Sequence, residues 1–371
     1  MRKADIKSEE PATEAVDKFV SVLKEAADTG IAILNGVIGD YLHERANDLA
    51  TRMRFFHEGK ELALDPEVID KVCPIRTGKI AVYVHGSAED EHAWGFPGDP
   101  ATSYGSLLEK EFGFTPFYLR YNSGLHVSEN GRSLDFMMDE LFGVHRLGVK
   151  EITFIGHSMG GLVIRSACHL GECRNAQWVK CVRRIICIGS PHQGAPLEKI
   201  GNVLTGVLKM VPTPYTKLAA EIINLRSAGI KDMRFGYTCD DDWKGYDPDA
   251  VLTNTKNTIP LLKGVPHYVI AGALTSNPND LISDWFGDAM VRKGSATGKA
   301  GAPEHCIPFP PENQKILPSV NHIALAHHPA VYKQIKAWCR TAPKAARKPA
   351  VPKIKKVGKT INLAGKGRKK S

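Results

Sequence analysis

Three residue types that together carry out acyl transfer occur in a fixed order along this chain: a serine, an aspartate and a histidine. The serine, Ser158, lies in the pattern Gly156-His157-Ser158-Met159-Gly160, between an apolar run and the start of a predicted helix. A sharp turn here brings backbone close to backbone, so a Cβ atom at Gly156 or Gly160 would clash. The turn exposes the serine hydroxyl beside the free N–H groups and positive dipole end of the helix. This spacing is typical of a nucleophile elbow.

A serine nucleophile needs a general base, a carboxylate that orients the base, and donors for the oxyanion. Downstream of Ser158, Asp288 follows a predicted strand and His322 precedes the final predicted helix, which gives the order serine, acid, histidine. Asp280 and Asp284 lie in the same loop as Asp288 and remain alternatives for the acid. The histidines that compete with His322 for the role of base are His85, His157, His192, His305, His327 and His328.

The elements that must position these residues alternate between strands and helices, which predicts an α/β fold with a mostly parallel central sheet flanked by helices. The strands are predicted at 79–84, 117–121, 152–155, 182–188 and 267–272. The helices are predicted at 103–112, 130–147, 159–170 and 329–339, and Asn130 is a candidate N-cap for the second of them.

The composition divides the chain into four parts. Residues 1–12 are predicted to be disordered, 13–78 to form a helical segment docked on the core, and 79–341 to form the α/β domain. An alternative for the helical segment is a helix that lies on a membrane surface. Within the α/β domain, residues 197–262 break the alternation and are expected to form a helical cap that sets substrate choice. Residues 342–371 are predicted to be a disordered basic tail.

The charge belongs to the tail and not to the domain. The chain carries a net charge of +9, and residues 342–371 hold eleven Lys or Arg and no acid, so the remainder has 9 − 11 = −2. Such a tail is expected either to be solubilising or to bind a polyanion: nucleic acid, anionic lipid or a granule surface. That partner is the basis of an alternative function, in which the chain is a binding or scaffold protein.

Localisation and cofactors follow from what the sequence lacks. There is no apolar run long enough to span a membrane and no secretory signal, so the expected location is cytoplasmic and the eight cysteines are expected to be reduced thiols. No Cys-x-x-Cys pair predicts zinc, and the acidic stretch 240–249 fits no calcium loop, so we expect no metal and no cofactor. The sequence does not determine the oligomeric state.

Five motifs resemble those of the α/β-hydrolase superfamily, in the lipase and esterase branch that includes GPI inositol-deacylase-like proteins. The resemblance runs from residue 79 to residue 339, roughly seven tenths of the chain. The motifs are Val84-His85-Gly86, Gly156-His157-Ser158-Met159-Gly160-Gly161, Ser190-Pro191-His192-Gln193-Gly194-Ala195-Pro196, Gly287-Asp288-Ala289-Met290-Val291 and Asn321-His322.

The resemblance implies an α/β-hydrolase fold and a serine hydrolase that cleaves a small-molecule or lipid carboxylic ester, in lipid metabolism. It assigns Ser158 as nucleophile, Asp288 as acid and His322 as base, and places the backbone N–H groups of Ser87 and Met159 in the oxyanion hole. Ser87 stands where lipases often have an apolar residue, which argues against a lipid-facing role at that position. A thioesterase or an amidase stays open, because these residues do not select the leaving group.

Overall fold

The structure is a computed structural model that describes residues 28–72, 78–144, 148–196, 200, 227–246, 255–273, 293–299 and 306–341. The predictions for residues 1–12, for the tail 342–371, for most of the cap and for the loop with all three candidate acids lie outside these ranges. No helix within them combines the length and the apolar character needed to cross a membrane.

An eight-stranded sheet forms the centre of the fold. The described residues contain β1 (Arg54–His57), β2 (Lys60–Leu62), β3 (Lys79–Val84), β4 (Gly95–Phe96), β5 (Asp99–Ser103), β6 (Thr115–Arg120), β7 (Glu151–His157), β8 (Val182–Ile188), β9 (His267–Ala273) and β10 (Gln314–Pro318). The sheet order is β10-β9-β8-β7-β3-β6-β1-β2. All pairs from β10 to β6 are parallel, whereas β1 and β2 are antiparallel. This confirms the predicted mostly parallel sheet.

Helices cover both faces of the sheet. In the described residues they are α1 (Asp28–Glu44), α2 (Pro66–Val72), α3 (Tyr104–Phe112), α4 (Val127–Val144), α5 (Met159–Cys173), α6 (Ala228–Phe235), α7 (Lys293–Ala296) and α8 (Pro329–Arg340). Along β3, Val82 and Val84 contribute to the core that contains α1, α4 and α5, while Ala81 and Tyr83 contribute to the core that contains α3 and α8. Both faces of the strand are buried, which explains its unbroken apolar sequence.

The N-terminal segment is less helical than predicted, because it also contains β1 and β2. Glu58 and Gly59 connect these strands with φ values of 48° and 73°. Two central residues with positive φ form the tight turn that matches the twist of a hairpin. The hairpin continues the sheet beyond β6, since Phe55 pairs with Leu119.

Two further local predictions differ from the structure. The helix expected at 130–147 begins at Val127, and Asn130 is not its cap, because its side chain donates to the main-chain oxygen of Asn122 at 2.9 Å. A small hairpin, β4–β5, follows Trp94. By contrast, α3 begins after the capping residue Ser103, whose hydroxyl accepts the N–H of Ser106 at 3.1 Å.

Candidate active site

The parallel strands bring their carboxyl ends to one edge of the sheet, and β8, β7 and β3 are neighbours there. The loops that begin at His85, Ser158 and Gly189 therefore meet, as expected for a ligand site in an open α/β sheet. The residues of this edge come from segments that are far apart in sequence.

Ser158 lies at the turn between β7 and α5 in a strained conformation. Its φ is 50° and its ψ is −121°, outside the regions that non-glycine residues favour. Its N–H donates to the main-chain oxygen of Ile188 at 2.8 Å, so the turn is fixed to the end of β8. A strained residue that the surroundings hold in place is a common feature of active sites.

The glycines around Ser158 are required by backbone contact, as predicted. A Cβ atom on Gly160 would lie 2.6 Å from the main-chain oxygen of His85 and would overlap that of Val84. A Cβ atom on Gly156 would lie 2.6 Å from the nitrogen of Gly161. These are rigid main-chain atoms, so no side-chain adjustment relieves the clash. The elbow can form only because both positions lack a side chain.

The loop after β3 lies against Ser158. A Cβ atom on Gly86 would lie 3.0 Å from Cβ of Ser158. The Gly86 N–H donates to Oε2 of Glu89 at 2.7 Å and the Ala88 N–H donates to the hydroxyl of Ser123 at 3.0 Å. Both N–H groups that flank Ser87 are thus occupied. Within the described part of the chain, the Ser87 N–H has no acceptor.

Met159 is the first residue of α5. The N–H groups in the first turn of a helix have no acceptor inside the helix, and the helix dipole favours negative charge beside them. The resemblance implies that the N–H groups of Ser87 and Met159 are the oxyanion donors. These two residues belong to the two segments that meet at Ser158.

His322 is buried at the same edge, immediately before the 3-10 turn Ile323–Ala326. Its ring packs against the end of β8, where a Cβ atom on Gly189 would lie 3.1 Å from Cε1 and 3.2 Å from Nδ1. Because the N–H of Ser158 bonds to Ile188, the residue next to Gly189, Ser158 and His322 lie at the same strand end.

One residue of this site, Glu89, was not predicted from the sequence. Its Oε2 atom lies 2.9 Å from Nδ1 of His157, whose Nε2 atom lies 3.0 Å from the main-chain oxygen of His322. Burial alone would raise the pKa of Glu89, but the charge and hydrogen bond of His157 and the N–H of Gly86 hold it at about 2. This carboxylate connects the Gly86 loop, the elbow and the His322 segment. No sequence pattern marks it.

His85 and His328, two of the alternatives to His322 for the role of base, make contacts that support the local structure. His85 stacks on Tyr121 with ring centroids 4.3 Å apart, and its Nδ1 atom lies 2.8 Å from the main-chain oxygen of Gly86. Burial lowers the pKa of His85, so its ring is held neutral. The side chain of His328 accepts the N–H of Ala330 at 3.1 Å and caps α8.

His192 and His327, two further alternatives for the base, also contact neighbouring residues. His192 is buried against the ring of Phe309, with centroids 5.0 Å apart, and burial holds its pKa well below the ordinary value. Nδ1 of His327 lies 3.1 Å from the main-chain oxygen of Ala93. His305 and the three candidate acids lie outside the described residues, as does most of the cap.

Helix α6, which belongs to the predicted cap, contacts the elbow at Met159. A Cβ atom on Gly229 would lie 2.9 Å from Cε of Met159. Asp232 anchors α6 to the start of α4 by accepting the N–H of Val127 at 2.7 Å and by facing Nδ1 of His126 at 3.0 Å. In the described ranges, no three side chains of the His, Cys, Asp or Glu type come together as a metal-binding group.

Residues 133–269 match the sequence model of the family described as "PGAP1-like alpha/beta domain". The match covers 137 of the 371 residues and runs from α4 through the elbow to β9. It confirms the predicted resemblance to the α/β-hydrolase superfamily, in agreement with the mostly parallel sheet flanked by helices. No curated protein matches this chain.

Solved structures of similar fold include lipases and esterases, all at low identity. The mature lipase BlEst2 of Bacillus licheniformis is 14% identical, with 71% of this chain and 92% of that chain covered and a TM-score of 0.45. The naproxen esterase (carboxylesterase NP) of Bacillus subtilis is 13% identical, with coverages of 85% and 99% and a TM-score of 0.38. The esterase Pf2001 of Pyrococcus furiosus is 14% identical, with coverages of 71% and 81% and a TM-score of 0.39.

Proposed function

We propose that this protein is a serine hydrolase that cleaves a carboxylic ester through an acyl-enzyme. Ser158 is the nucleophile, His322 the general base and Asp288 the acid that orients it. The observation that carries the proposal is the strained turn at Ser158, with φ of 50°, fixed to the strand end against which His322 packs. The substrate is a small-molecule or lipid ester.

In the first half-reaction, His322 takes the proton of the Ser158 hydroxyl as its oxygen attacks the ester carbonyl carbon. The oxyanion that forms is stabilised by the N–H groups of Ser87 and Met159. The C–O bond to the alcohol then breaks, and His322 returns the proton to the departing alcohol. Water repeats the sequence on the acyl-enzyme, releases the carboxylic acid and restores the Ser158 hydroxyl.

A fluorophosphonate probe and short p-nitrophenyl esters test the proposal. Ser158→Ala is expected to abolish both labelling and ester turnover while the far-UV circular dichroism spectrum stays unchanged. Ser166→Ala is the matched control, because Ser166 is a buried serine further along the same helix. It is expected to retain both activities. Ester turnover by Ser158→Ala at the wild-type rate would refute the assignment.

A further inference from the structure

The ring of His157 is buried between two groups that accept hydrogen bonds. Nε2 lies 3.0 Å from the main-chain oxygen of His322, and a carbonyl oxygen has no proton to donate, so Nε2 carries a hydrogen. Nδ1 lies 2.9 Å from Oε2 of Glu89, an atom that already accepts the Gly86 N–H. An ionised carboxylate only accepts, so Nδ1 carries a hydrogen as well.

We propose that His157 is held as an imidazolium, paired with the Glu89 carboxylate, and that this ion pair positions both His322 and the Gly86 loop. The inference rests on the proposed function, in which His322 is the base and the loop after β3 supplies an oxyanion donor. Glu89 and His157 are positioning residues, since each acts through the main chain of another residue.

The geometry explains why a charged pair serves better here than a neutral one. Its three hydrogen bonds join the oxyanion loop, the elbow and the segment that carries His322, and bonds to charged groups are stronger than neutral ones. The side chain of His157 is fully buried and that of Glu89 is 11% exposed, so water competes little for these bonds. A buried charge stays in place only when it is paired.

The pair also sets the charge beside His322. The ring centroids of His157 and His322 are 4.9 Å apart. Trp94, in the 3-10 turn Glu91–Trp94, also faces His157, with ring centroids 6.4 Å apart. Glu89 and His322 both face the His157 ring, and His85 lies beside Glu89. An imidazolium at His157 therefore places a positive charge next to the ring of the proposed base.

Nuclear magnetic resonance of protein with ¹⁵N-labelled histidine tests the charge directly. At about pH 8, above the ordinary histidine pKa of about 6.5, His157 is expected to show two ring N–H signals and two protonated-type ¹⁵N shifts. A His157→Gln spectrum assigns the signals. In Glu89→Gln, one ring N–H is expected to be lost, since the amide group cannot stabilise the charge. A single ring N–H in the wild-type protein would overturn the proposal.

Kinetics test the positioning role. Glu89→Gln is expected to lower kcat by roughly 10- to 100-fold with little change in KM, as for displaced catalytic groups. The control is Asp90→Asn, since Asp90 is buried in the same loop but accepts the N–H of His92. It is expected to keep the wild-type kcat and KM.

The outcomes separate this inference from the proposed function. If Ser158→Ala loses ester turnover but Glu89→Gln keeps the wild-type kcat, the positioning role is wrong and the hydrolase stands. If Ser158→Ala retains turnover while His157 still shows both ring protons, the hydrolase assignment is wrong and only the charge state of the pair stands.

Discussion

The main-chain oxygen of His322 lies 3.0 Å from Nε2 of His157, so the residue next to the proposed nucleophile fixes the segment that carries the proposed base. In an α/β sheet, catalytic residues come from the ends of different strands, so they must be held in fixed positions relative to one another. Here a histidine of the elbow motif makes that connection and Glu89 holds its other side.

The first prediction concerns the pH dependence of stability. Glu89 has an ordinary pKa of 4.5 and a folded-state pKa of about 2, so it stabilises the fold fully above 4.5 and loses that contribution as pH falls towards 2. A difference of this size corresponds to about 3 kcal/mol. Glu89→Gln is therefore expected to unfold more easily near neutral pH and to approach wild-type stability near pH 2.

Urea unfolding at several pH values measures this difference, with Asp90→Asn as the control. A constant gap in unfolding free energy between wild type and Glu89→Gln across the acid range would contradict the ion pair as its source.

The second prediction concerns the elbow glycines. Gly160→Ala is expected to destabilise the protein by at least about 2 kcal/mol and to reduce ester turnover, because its Cβ atom meets rigid main-chain oxygens. Gly143→Ala is the control: this glycine lies in α4 with no atom within 4 Å of an added Cβ. It is expected to be neutral or up to about 1 kcal/mol stabilising, since alanine favours helix.

Urea denaturation and p-nitrophenyl ester turnover are measured for both variants. Equal stability of the two glycine variants would show that the close approach of the elbow to β3 is not required.

The strands of the sheet were predictable because burial on both faces leaves a signal in consecutive residues. The runs at 79–84 and 182–188 have the bounds of β3 and β8. The β1–β2 hairpin was missed, since short strands at the margin of a sheet bury few side chains. The turn at Glu58 and Gly59 was the available signal.

Some residues of the candidate site could likewise be predicted from the sequence, and others could not. Ser158 and its glycines are recognisable because one local turn imposes all their constraints. Glu89 was not recognisable, since it is 68 positions from His157 and a carboxylate among charged neighbours carries no periodic signal. Its role arises only when β3 and β7 pair, an interaction between distant segments.

The third prediction separates the three candidate acids. Asp288→Asn is expected to lower kcat by about 10³-fold or more, because an amide favours the wrong tautomer of the base. Asp280→Asn and Asp284→Asn serve as matched controls and are expected to stay within a few-fold of wild type. Steady-state kinetics on a short ester decides the assignment. A large loss in either control, with Asp288→Asn active, would transfer the role of acid.

The fourth prediction concerns residues 342–371. Their removal changes the net charge from +9 to −2, so the truncated protein is expected to lose retention on a heparin matrix at low salt. Retention of the full chain is expected to fall steeply with added salt, since screening and counterion release weaken such contacts. Turnover of a neutral short ester is expected to be the same for both proteins, because the tail lies outside the proposed catalytic residues. Equal retention of the two proteins would rule out the tail as a polyanion-binding segment, and a loss of turnover on truncation would instead connect the tail to catalysis.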